Sequence, residues 1–110
     1  MAAFGSLKLA GQFVILSGLF HFVASIFGDT MIMVGIGVLY VLIGMGLTRN
    51  MRWLGYFAFL IMIFGATLAY GMLNVAPAPT WVTWAIIAAD VLAAMNLFIA
   101  IWRPKAVHPN

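Results

Sequence analysis

Three side chains able to carry a proton or hold a polar ligand fall inside otherwise apolar sequence: Asp90, His21 and Tyr40. Asp90 lies ten residues beyond Thr80. At the helical rise that puts it about 15 Å below the outer interface of a bilayer, close to the midplane. His21 precedes Gly28 by seven residues and Tyr40 follows Asp29 by eleven. Their depths come to about 10 Å and about 16 Å. An ionised carboxylate facing lipid at that depth costs several kcal/mol. Asp90 must therefore face protein or water, find a partner, or stay protonated. The expectation is an intramembrane cluster of Asp90 with Tyr40, His21 or both. Its sharp reading is a proton or cation relay, since intramembrane ionisable groups are functional candidates by default. Its plain reading is a satisfied hydrogen-bond cluster that fixes helix register. One acid and one histidine are thin equipment for a pathway.

His21 has a second chemistry. A lone membrane histidine can ligate the metal of a tetrapyrrole, and Ser17 one turn away leaves room for a macrocycle. The only other histidine, His108, is in the C-terminal tail, so two-histidine haem ligation within one bundle is excluded. No cofactor is expected beyond this single candidate for haem or chlorophyll. Multi-ligand metal sites lack donors. With no cysteine, thiol chemistry and disulfides are ruled out. No nucleophile–base pair, glycine-rich phosphate loop or paired carboxylate set is present, so the chain reads as non-enzymatic. Gln12 and Asn96 suit interhelical hydrogen bonds of about 1 kcal/mol each. Gln12 lies on the helical face opposite His21. The eight methionines are scattered packing fillers.

The elements that position these groups are four apolar runs, Leu9 to Phe27, Met31 to Leu47, Trp53 to Leu73 and Trp81 to Trp102. Each approaches the ~20 residues that cross a hydrocarbon core as a helix. The chain has 110 residues, 66% hydrophobic and 6% charged. A soluble domain of this size has too little interior for that much apolar surface. Period-two alternation is missing, which argues against barrel strands. Residues 1–110 thus read as a single four-helix transmembrane domain, all-α, in an up-down-up-down bundle with short connections. All five Lys and Arg residues (Lys8, Arg49, Arg52, Arg103 and Lys105) fall on one side of that bundle. The positive-inside rule puts both termini in the cytoplasm. The net charge of +3 suits an anionic leaflet rather than a nucleic acid. Read as a cleaved leader, the first run would use Val23 and Ser25 as its cleavage pair; a retained span is the preferred reading.

Local signals set the expected boundaries. Helix 1 starts near Ser6 and stops at the turn Gly28-Asp29-Thr30. Helix 2 ends at Thr48-Arg49-Asn50. Asn74 to Pro79 forms a rigid outer loop, Thr80 caps helix 4, and Arg103-Pro104 ends it. Lys105 to Asn110 is a polar tail. Trp81 and Trp84 mark one interface, Trp53 and Trp102 the other. A faint repeat relates Gly11, Phe13, Leu16 and Phe20 to Gly55, Phe57, Leu60 and Phe64. Each helix carries one stripe of small residues: Gly11, Gly18 and Ser25; Gly37 and Gly44 with Tyr40; Gly55, Ala58, Gly65 and Ala69; Ala85, Ala89 and Ala93 beside Asp90. Membrane helices pack closely at such stripes, so ordinary bundle packing outweighs a dimerisation or transport interface.

Length and topology resemble the small multidrug resistance transporters, but the membrane-embedded glutamate of that family's first helix has no counterpart, and Gln12 stands in the first helix instead. A closer resemblance is to bacterial four-helix inner-membrane families of unknown function. Ser17-Gly-Leu-Phe-His21 resembles their first-helix Gly-x-x-His stretch. Gly37 to Leu47 followed by Arg52-Trp53 resembles their second helix and basic loop. Pro79-Thr-Trp with Ala89-Asp90-Val-Leu resembles their Pro-x-Trp and mid-helix Asp. The resemblance implies a bacterial inner-membrane protein and no particular activity. Sparse chemistry and ample packing faces make an accessory or assembly subunit of a larger respiratory or photosynthetic membrane complex the first expectation. Its partners are then lipids and other integral membrane subunits or itself, and no nucleic acid. A small oligomeric proton-coupled transporter or channel using Asp90 is the second, and a tetrapyrrole-binding protein using His21 the third.

Overall fold

The computed structural model describes residues 5–28, 30–75 and 79–102, and the described residues form four helices and no strand. They are α1 (Leu7–Ser25), α2 (Thr30–Thr48), α3 (Arg52–Gly71) and α4 (Thr80–Trp102). All four are long and apolar enough to cross a membrane. The expected turn residue Asp29, Ala76 to Ala78 of the outer loop, and the tail with Arg103-Pro104 lie outside the described residues.

Capping explains where the helices begin and stop. The Ser6 hydroxyl accepts the N–H of Leu9 at 3.1 Å and opens α1 two residues before the apolar run. At the far end of α2, Asn50 takes a left-handed backbone (φ 62°). The N–H groups of Asn50 and Met51 turn back onto the carbonyls of Leu47 and Gly46. Asn tolerates that conformation better than most residues, so the chain reverses here without a glycine. Thr80 is the first residue of α4 rather than its cap. The Pro79 carbonyl receives the N–H groups of Val82 and Thr83 instead.

Packing is uneven. The α1–α2 contact is the most extensive, α3–α4 and α1–α4 follow, and α2 meets α3 only sparsely. Helix α4 buries ten of its residues and α3 only Gly55, Ala58 and Met62. At the α1–α2 contact Gly11 faces Gly44 and Gly18 faces Gly37. A Cβ on Gly11 would lie 2.6 Å from the Gly44 carbonyl oxygen, and one on Gly18 2.9 Å from that of Gly37. The obstacle at each of these four positions includes a backbone oxygen, so glycine there lets the two helices approach this closely. Ala89 and Ala93 are buried in the same way on α4, while Ala85 is half-buried. One core cluster gathers Val14, Tyr40, Leu47, Met62, Ala93 and Leu97; a smaller one holds Ala24, Val82 and Ile86.

Candidate functional site

The four helices converge on a polar cluster near mid-length, built from residues that share a face on each helix. Ser17 and His21 are four apart on α1 and both point inward. Tyr40 comes from α2, Gly65 from α3 and Asp90 from α4. Asp90 and Ser17 have no exposed surface. The Ser17 hydroxyl donates to Asp90 Oδ1 at 2.5 Å. Asp90 Oδ2 is buried and has no hydrogen-bond partner. His21 Nδ1 lies 2.7 Å from the Ser17 carbonyl oxygen, which can only accept. Nδ1 therefore carries the proton of that bond, and in a neutral ring Nε2 would be the acceptor. The imidazole stands edge-on to the Tyr40 ring, with centroids 4.9 Å apart.

Gly65 is the hinge of this geometry. A Cβ there would collide with the Tyr40 hydroxyl and lie 2.9 Å from Asp90 Oδ2. Both oxygens thus stand over the same bare Cα. The structure brings together all three residues expected to cluster, with one difference of detail. Asp90 bonds Ser17, not Tyr40 or His21, and Tyr40 pairs with His21 through ring packing. Ser17 was legible as a neighbour of His21 but reads in the sequence as a space-leaving residue. In the structure it is buried and its hydroxyl is tied to Asp90.

A cavity of about 490 Å³ adjoins the cluster where α2 and α3 diverge. His21, Tyr40 and Gly65 form its inner end. Its walls run past Leu39, Phe64, Leu68 and Ile86 to Gly28, Met33 and Met72 near the helix ends. The lining residues run from mid-length, at Tyr40 and Ile61, to the end of the bundle that holds the α1–α2 turn. Thr83 adds one hydroxyl to the wall, a contribution that Trp-flanked sequence did not reveal. A second hollow between α3 and α4, about 400 Å³, has Thr67 as its one polar lining side chain.

The amides part company. Asn96 is buried; its Oδ1 accepts the Gly5 N–H at 2.5 Å and its Nδ2 donates to the Leu92 carbonyl at 2.8 Å. It ties the segment before α1 to α4. Gln12 is exposed on the outer face of α1 and joins no helix to another. Arg52, expected only as a cytoplasmic charge, donates to the carbonyls of Ala100 and Ile101 at 3.1 and 2.7 Å and so caps α4. Among the described residues no group of three metal-ligating side chains exists. A scan against protein-family models, a search of curated proteins and a search of solved structures each return no match.

Proposed function

We propose that the protein is a small, non-catalytic, proton-coupled transporter of the bacterial inner membrane. It crosses four times in an up-down-up-down bundle, with both termini in the cytoplasm. One observation carries the reading: Asp90 keeps a carboxyl oxygen without a partner, against the inner end of a cavity. Ionisable groups at this depth are costly and mark proton or substrate paths. A cavity that runs from mid-length to one end of the bundle fits one-sided access, as alternating-access transport requires. The pairing of Gly11 with Gly44 and Gly18 with Gly37 supports the alternating helix order. The one-sided Lys and Arg residues support the orientation. The test is proton movement in proteoliposomes under an imposed pH gradient, read with an internal dye. The wild type is expected to dissipate the gradient and Asp90→Asn to leave it standing. An Asp90→Asn protein that assembles and moves protons normally would end the proposal.

A second reading, an accessory or assembly subunit of a larger respiratory or photosynthetic complex, draws on α3. That helix buries three of its residues and turns Tyr56, Phe57, Phe64 and Tyr70 outward. Aromatic-rich faces are favoured at protein interfaces. A mild-detergent pull-down with mass spectrometry decides it: stoichiometric membrane partners support a subunit, a homo-oligomer alone argues for the transporter. An absorption spectrum of the same eluate tests tetrapyrrole binding through His21, which requires a visible band.

A further inference from the structure

We infer that the cavity between α2 and α3 binds an uncharged apolar molecule bearing a hydroxyl, taken from the bilayer, with that hydroxyl against His21 Nε2 and Tyr40 Oη. The site goes beyond the transporter reading and does not depend on proton movement.

Three lining side chains hold uncommitted polar atoms. Among the described residues Tyr40 Oη and Thr83 Oγ1 enter no hydrogen bond, and His21 bonds only through Nδ1. Asp90 Oδ2 is the one buried side-chain oxygen or nitrogen there without a partner. The other three atoms therefore keep open surface, and all three belong to side chains that line the cavity. Asp90 has no exposed surface and lines no part of the cavity, so the ligand does not reach it. In a neutral imidazole Nε2 accepts, and the Tyr40 and Thr83 hydroxyls can donate or accept. The His21 and Tyr40 rings stand side by side, with centroids 4.9 Å apart. A ligand hydroxyl donates to one and accepts from the other. No Asp, Glu, Lys or Arg is among the described lining residues. A charged head group would be buried there without a counter-charge, which is costly.

The rest of the wall selects the body of the ligand. Leu39, Ile61, Phe64, Leu68 and Ile86 are apolar, and an apolar lining disfavours water. A plain hydrocarbon chain would cover that wall and leave the polar atoms unmet, at the expense of their hydrogen bonds. The volume of about 490 Å³ lies within the usual range of small-molecule sites. Entry is sideways. Helices α2 and α3 touch only sparsely, and Leu39, Phe64 and Leu68, which line the cavity, are exposed. In a bilayer that gap meets lipid tails, so the ligand arrives dissolved in the membrane.

The test uses the full-length protein in lipid nanodiscs, with heavy-nitrogen histidine read by NMR. The probe is 4-octylphenol, and its methyl ether, which cannot donate, is the match. The phenol is expected to move the His21 Nε2 resonance upfield and saturably, and to leave His108 in place. The methyl ether should move neither. Tyr40→Phe should weaken the phenol roughly 5-fold, as loss of one hydrogen bond does. Leu39→Trp keeps both polar partners and narrows the cavity, so it should lose the phenol; it covers the case in which Tyr40→Phe fails to fold. An unmoved His21 signal overturns the inference, as does an equal shift with the methyl ether. A Leu39→Trp protein that binds the phenol like the wild type overturns it too. The liposome assay reads the transporter separately. Proton movement without phenol binding sinks the site alone, and phenol binding without proton movement sinks the transporter alone.

Discussion

At the residue scale, Asp90 decides what the interior can do, and Ser17 and Gly65 decide how Asp90 sits. Ser17→Ala removes the one hydrogen bond that Asp90 receives. Leaving a buried acceptor unmet costs about 1–3 kcal/mol. The variant is expected to unfold earlier in detergent titration by that amount and to move protons more slowly. Gly65→Ala is expected to do harm of another kind. Its methyl group would strike the Tyr40 hydroxyl and crowd Asp90 Oδ2, so one of them must shift. Overpacking of this sort costs about 1–3 kcal/mol, and the Tyr40–His21 ring contact should be lost. Histidine ring chemical shifts in labelled protein would report it. Gly65→Ala with unchanged His21 shifts would mean that Tyr40 is held by something other than this fit.

At the element scale, the helices themselves were legible, because length and apolarity alone demand a bilayer and turn residues punctuate the runs. The caps were legible only in part. Ser6 announces α1 through its residue type, whereas Arg52 reads as a topology signal and acts as the cap of α4, which no local pattern reveals. The cluster was half legible: depth placed Asp90 and Tyr40 at one level with His21 nearer the outer surface, but a hydrogen-bond partner across 73 positions depends on helix rotation, which composition does not determine. Gln12 shows the same limit: spacing set it opposite His21, but not which of the two faces turns inward. Two variants test the element contacts. Gly44→Leu is expected to part α1 from α2, because a side chain there meets the Gly11 carbonyl oxygen and Ile15. That variant should unfold earlier than the wild type in detergent titration. Arg52→Gln should free the last turn of α4 and raise the quenching of Trp102, with a stability loss of about 1 kcal/mol.

At the scale of the whole molecule, orientation is the property most open to direct measurement. The sequence has no cysteine, so any introduced thiol is the only one. With both termini inside, Asn50→Cys should react with membrane-impermeant maleimide only after cells are opened, and Val75→Cys in intact cells. The reverse pattern would invert the topology and place the cavity on the cytoplasmic side. The unequal packing of the helices also has a consequence in time. The contacts of α1 with α2, and of α3 with α4, join neighbours in the chain, and each pair can close soon after its second helix is made. Ser17 and Asp90 belong to different pairs. Their bond waits until the last helix has entered the membrane, so the cluster is the final joint of biogenesis. A chain halted after α3 would carry Ser17, His21 and Tyr40 without the Asp90 carboxylate that Ser17 bonds.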